Sequence, residues 1–241
     1  VEVVNHYHSY NFLSVYQKIH NFCVTELGGF YLDVIKDRQY TTQVNSRARR
    51  STQTAMLQVV EMLSRMIAPI LSFTADEIWQ HIPGDRVDSV FLSDFGEGHS
   101  ALKESREFDD AFWRRILEVK TAVNRELEVQ RAEKTVGSGL SAEVDLFCDG
   151  QLADDLARLG EELRFVLIVS RASVNSGTHA PEKAIATEVA GLTLRVTASE
   201  HKKCERCWHH REDVGQEAAH VGLCLRCVSN VAGDGELRRF A

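Results

Sequence analysis

SRARRSTQTAMLQVVEMLSRMIAPILSFTADEIW, residues 46–79, is the stretch on which the reading of the fold turns. Ala48, Ala55, Val59, Met62, Met66 and Ile67 recur mostly at three-, four- and seven-residue steps, which predicts one apolar stripe on a helix from about Ser46 to Ile67. Pro69 lacks an amide hydrogen, so it bends or ends that helix. Thr74-Ala-Asp-Glu77 has the T-x-x-E form of a capping box, and the next helix is predicted to open at Thr74 and stop before Pro83-Gly84.

The same period extends both ways. Upstream, Phe12, Val15, Ile19 and Phe22 mark another amphipathic helix; Gly28-Gly29 interrupts it or permits close packing, and Phe30, Tyr31, Val34 and Ile35 continue its apolar face. Downstream, Phe112, Ile116, Val119, Val123 and Leu127 trace a long helix ending near Gly137-Ser-Gly139. Four such helices with short connections read as a bundle. The character then changes. Val144–Phe147 and Leu192–Val196 alternate like half-buried strands, Phe165–Val169 looks like a fully buried one, and Gln151–Leu159 between them is helical. The expected organisation is mainly α. A helical bundle occupies residues 1–105, a long helix and small α+β module 106–200, and a cysteine-rich module 201–241.

Composition sets the class. Of 241 residues, 44% are apolar and 26% charged, the balance of a soluble globular protein. No apolar run approaches the roughly 18 residues of a membrane span. The opening VEVVNHYHSYNF has neither the basic nor the apolar region of a signal peptide and no starting Met, and it reads as the interior of a longer chain or a processed terminus. A net charge of −7 argues against a general nucleic-acid coater. Between Tyr31 and Arg65, however, Lys36, Arg38, Arg47, Arg49, Arg50 and Arg65 outnumber Asp33, Asp37 and Glu61. That island is either a face meant for an anion or a solvated helix surface with its own ion pairs; charge alone favours the second.

Cysteine usage is more informative. Four of the six cysteines crowd into residues 204–227, while Cys23 and Cys148 stand alone among apolar residues and read as inert core thiols in a reducing, cytoplasmic compartment. Cys204-Glu-Arg-Cys207 and Cys224-Leu-Arg-Cys227 are two CxxC knuckles separated by sixteen residues. Two residues between cysteines let both sulfurs of a tight turn face one ion, and two such turns complete a tetrahedral zinc site with no position left for water or substrate. The predicted ion is a single structural Zn2+, in preference to a redox pair or an iron–sulfur centre. His209, His210 and His220 are expected on the surface, as are His6 and His8, which have no third ligand. Residues 201–241 carry seven Lys/Arg against six Asp/Glu, so particular groups such as Arg206, Arg226 or Trp208 would have to meet any nucleic acid there.

FYLDVIKDRQYT (Phe30–Thr41), ARRSTQTA (Ala48–Ala55) and MIAPILSFTADEIW (Met66–Trp79) closely resemble the anticodon-binding helical domain of bacterial isoleucyl-tRNA synthetases, class I enzymes. CERCWHH (Cys204–His210), CLRCVSNV (Cys224–Val231) and GDGELRRFA (Gly233–Ala241) look like the zinc module that closes the same enzymes. The resemblance implies a monomeric partner of isoleucine tRNA, at its anticodon stem-loop, that works with the remainder of a synthetase chain. The parent family uses ATP, but neither a HIGH-like nor a KMSKS-like motif occurs here. No catalytic residue is expected, and ATP belongs to the missing part. Unpaired RNA bases are met by stacking on aromatic rings or Arg planes together with hydrogen bonds. The candidates are Arg38, Arg47, Arg49 and Arg50 on the bundle and Trp208, Arg206 and Arg226 on the tail. Trp208 is either a stacking platform or a plug over the knuckle. The other reading is a fragment of a DNA-repair glycosylase, a family with similar zinc tails. Its catalytic body would be β-rich, against the helical pattern here.

Overall fold

The computed structural model describes residues 2–95, 108–176, 181 and 183–240; the expected boundary between residues 105 and 106 lies outside the described residues. The chain divides into two compact units, Val1–Asp33 with Arg49–Lys103, and Val34–Ala48 with Glu104–Ala241. Among the described residues no helix is long and apolar enough to cross a membrane.

The first unit is helical. Helices α1 (Glu2–His8) and α2 (Phe12–Asn21) lead into a π-helical segment, Phe22–Tyr31, which continues as α3 (Leu32–Thr41), a helix that belongs to the second unit from Val34 on. The glycine pair therefore does not interrupt the helix. In the wider turn a β-carbon on Gly28 would lie 3.0 Å from the Cys23 carbonyl oxygen, and one on Gly29 would lie 3.2 Å from that of Val24. Glycine allows this close approach. Helix α4 (Arg47–Ile67) ends two residues before Pro69, as the sequence predicts. Helix α5 (Ser72–His81) opens two residues before Thr74 and has no side-chain cap, so the T-x-x-E motif sits inside the helix.

Trp79 organises this unit's core. It is 2% exposed and packs with Ala68, Ala75, Ile82 and Val90. Its indole N–H donates to the Val87 carbonyl at 2.9 Å. The guanidiniums of Arg65 and Arg86 each lie 4.9 Å from its ring centroid, and Arg86 also pairs with Glu61 at 3.1 Å. The Asp76 carboxylate fixes the returning loop by accepting from the Ser89 hydroxyl and the Val90 amide.

In the second unit, α6 (Asp110–Ala132) is capped by the Asp109 carboxylate and buries Phe112, Ile116, Val119, Val123 and Leu127, the stripe read from sequence. A four-stranded sheet follows in the order β2-β1-β4-β3, from β1 (Ala142–Phe147), β2 (Arg171–Asn175), β3 (Ile185–Ala186) and β4 (Thr193–Ala198). β1 is parallel to β2 and antiparallel to β4, and α7 (Gly150–Leu159) and α8 (Leu163–Leu167) form the crossover between the parallel pair. The expected strand at Phe165–Val169 is instead helix as far as Leu167 and a turn at Ile168 and Val169. All five residues of α8 are buried, which erases the period that separates helix from strand. The true parallel strand is the half-buried SVN-containing edge that follows. Buried Lys120 donates to the Val166 carbonyl at 2.9 Å, placing a cation at the carboxyl end of α8 where the helix dipole favours it.

Trp79→Ala removes the centre of the first unit's core and should cost about 3–5 kcal/mol in urea unfolding followed by circular dichroism. A loss below about 1 kcal/mol would show that the two guanidiniums and the Val87 carbonyl leave the core indifferent to the ring.

Candidate metal centre and nucleic-acid interface

The tail is built from β5 (Lys202–Lys203), its antiparallel partner β6 (His210–Arg211) and α9 (Leu225–Ala232). The first knuckle is the turn between the two strands. The Cys204 amide donates to the His209 carbonyl and the Trp208 amide to the Cys204 carbonyl, both at 2.9 Å. The second knuckle opens α9, with Cys224 as its cap and Cys227 in its first turn. All four cysteines are buried, and their sulfurs lie within 4.8 Å of one another.

A tetrahedral zinc thiolate site, with Zn–S of about 2.3 Å, places its sulfurs about 3.8 Å apart. Cys207 Sγ and Cys224 Sγ are 3.8 Å apart. The surroundings suit thiolates. The Cys224 amide points at Cys204 Sγ at 3.4 Å, and Arg206 Nη1 lies 3.9 Å from Cys227 Sγ. Four sulfurs, no oxygen and no open coordination position fit zinc in a structural role.

His209 departs from expectation. It is 2% exposed, and its ring meets the edge of Phe165 with centroids 5.5 Å apart. The tail has too little apolar material for a core of its own and borrows one from α8. Phe165 is covered by guanidiniums: Arg238 at 3.4 Å, Arg164 at 4.2 Å and Arg226 at 5.0 Å from its ring centroid. Burial first, then the charges of Arg226 and Arg211, bring the Arg164 pKa down to about 10.

Two of the candidate RNA contacts, Arg206 and Arg226, end on α3. Arg226 donates to both carboxylate oxygens of Asp37, at 2.7 and 2.8 Å, and to Glu236 at 3.1 Å. Arg206 donates to the carbonyls of Tyr40 and Thr41 at the end of α3. The sequence reading gives no site role to Asp37, Arg238 or Glu236. Arg238 also pairs with Asp37, and Glu236 accepts from Arg238 at 3.2 Å. The arginine standing before the second cysteine of each knuckle was the only trace of this arrangement in the sequence. Burial would raise the Asp37 carboxyl, but Arg226 and then Arg238 outweigh it and bring the pKa down to about 2.

The remaining candidates are placed differently. Arg47 and Arg50 are exposed and Arg49 half-buried in the first turn of α4, and Arg38 is half-buried on α3. Trp208 is 59% exposed, Lys203 Nζ lies 5.2 Å from its ring centroid, and the φ of Trp208, 67°, is in the left-handed region.

Comparison with known proteins agrees with this geometry. Residues 1–146 match the family described as the anticodon-binding domain of tRNA ligase, and residues 202–230 match the zinc finger found in FPG and IleRS. The chain belongs to the family of tRNA-ligase anticodon-binding domains, and the helical match over 1–146 sets aside the glycosylase reading. Over 240 residues it is 58% identical to isoleucine–tRNA ligase of Pseudomonas putida (strain W619), 56% to that of Pseudomonas fluorescens (strain Pf0-1) and 55% to that of Pseudomonas paraeruginosa (strain DSM 24068 / PA7). Each alignment takes in 100% of this chain and 26% of the relative.

Asp37 also sets an acid limit. Its pKa in the fold lies below its usual 3.8. The stability it contributes, about 2 kcal/mol, is therefore fully present above pH ~4 and lost as pH falls through about 2. The stability difference between the protein and Asp37→Asn, from urea titrations, should hold steady from pH 7 to about 5 and shrink from about 4 to 2. A difference that narrows already between pH 7 and 5 would assign it to another group.

Proposed function

We propose that this chain is the tRNA-recognition part of an isoleucine–tRNA ligase, binding the anticodon stem-loop of isoleucine tRNA and holding one structural zinc through Cys204, Cys207, Cys224 and Cys227. The match of residues 1–146 to the anticodon-binding family carries the reading, and the identity to isoleucine–tRNA ligases along the whole chain points to the tRNA. Zinc, when bound, ties the two knuckles together and does no chemistry on the substrate. The parent enzyme would join isoleucine to its tRNA with ATP, in the cytoplasm and as a monomer. That chemistry falls to the remainder of its chain, because the ATP-holding motifs do not occur here.

Electrostatics support a phosphate contact at α4. Its first turn holds Arg47, Arg49 and Arg50 and no acidic residue. Cations at a helix amino terminus oppose the dipole and cost stability. The same amino terminus with added positive charge is a favourable place for a phosphate. Exposed Trp208 is the proposed stacking surface. Arg38 and Arg49 are proposed as secondary phosphate contacts, and Arg206 and Arg226, which reach α3 from the tail, as docking residues.

Two experiments test this. Elemental analysis of reduced, freshly purified protein should find one zinc per chain. Cys207→Ala should release it and disorder residues 201–241 while the helices of the first unit keep their circular dichroism; zinc-free native protein would end the metal reading. For RNA, Arg50→Ala should weaken native and anticodon-substituted isoleucine tRNA alike, and flatten the slope of log K against log salt by about 0.7 to 0.9. Trp208→Ala should cost roughly 1–3 kcal/mol, narrow the preference for the native anticodon and leave the slope nearly unchanged. Folded variants that bind tRNA as the parent does would remove the recognition surface from both places.

A further inference from the structure

Both knuckles carry an arginine immediately before their second cysteine, Arg206 in the first and Arg226 in the second. Both arginines end on α3. Arg206 donates to the carbonyls of Thr41 and Tyr40, in the helix's last turn, while its Nη1 stays 3.9 Å from Cys227 Sγ. Arg226 grips the Asp37 carboxylate one turn earlier with both of its terminal nitrogens. Arg238 and Glu236 close the cluster from the tail, and the Gln43 side chain donates to the Gly233 carbonyl at 2.7 Å.

We propose that Asp37 and the last turn of α3 are positioning elements of the zinc centre, so that metal binding and the ordering of the end of α3 form one linked equilibrium.

The physical argument starts from the knuckles. A CxxC turn has a fixed shape only while both sulfurs are drawn to one ion. Arg206 and Arg226 leave the backbone inside those turns, so the direction of each guanidinium is set by the same constraint. With the ion gone the turns can open, and neither fork is held against its acceptor. The terminal carbonyls of α3 then lose a donor and a favourable charge. The reverse follows by thermodynamic reciprocity. Without Asp37, Arg226 is left almost wholly enclosed, with Glu236 as a remaining counter-charge. Relief requires the second knuckle to shift. Partners behind metal ligands typically change affinity by 10–100-fold.

The inference stands independently of the tRNA reading, and its test contains no RNA. Zinc affinity of the reduced protein is measured by competition with a colorimetric chelator. Asp37→Asn and Arg206→Leu cut separate ties, and each should weaken zinc roughly 10–100-fold. Asp37→Glu keeps the charge and should recover part of the loss. In the unaltered protein, stripping zinc should speed amide exchange in residues 38–43 while β1 and β4 keep their protection. The exchange measurement and Arg206→Leu decide the matter if Asp37→Asn does not fold. Unchanged exchange in residues 38–43, or zinc affinity within about two-fold of the parent in Arg206→Leu, would overturn the linkage and leave the cluster as a staple indifferent to the metal.

Discussion

One carboxylate, that of Asp37, receives guanidiniums that lie 189 and 201 residues further along the chain. Removing such a group from water is costly, and an ion pair in an enclosed place is not by itself a source of net stability. What it imposes is register. A fork of two nitrogens on two oxygens admits one orientation of α9 against α3. The Phe165 ring beneath then fixes the plane of Arg238, since a cation over an aromatic face is worth most where water is excluded. Packing of the tail in the second unit follows from these directional contacts more than from apolar area.

This explains how so small a zinc module keeps a shape. Its buried cluster consists of the four cysteines and Val214, with Leu223 packed alongside. That is too little apolar surface to offset chain entropy over some forty residues. The deficit is met in two ways: by a metal constraint at the knuckles, and by placing His209 against Phe165 on a helix that belongs to the preceding α+β fold. The Ser170 hydroxyl adds a small hinge point, donating to the Leu140 carbonyl and accepting from the His210 amide.

Local patterns were legible in the sequence and remote ones were not. The stripe from Phe112 to Leu127 specified α6 because one face meets core and the other water. The knuckles specified their geometry because two intervening residues leave few other arrangements for paired sulfurs. Leu163–Leu167 gave no period because every position is buried, and β2 was missed because an edge strand with all residues half-buried does not alternate. His209 was misplaced because a residue next to a zinc ligand looks exposed until the neighbouring helix is known. Asp37 lies in a stretch that reads as basic, and nothing within ten residues of it hints at partners in the tail.

Trp208 occupies a backbone conformation that an L-residue with a large side chain adopts reluctantly, at a cost of about 1–3 kcal/mol. Glycine would fit there without penalty, and Asn with little. A library of this chain selected only for thermal resistance of the knuckle should therefore drift away from tryptophan at position 208, towards glycine. A library selected for whatever meets that exposed ring should keep it. The two outcomes would separate, at a single position, what the turn prefers from what the protein uses it for.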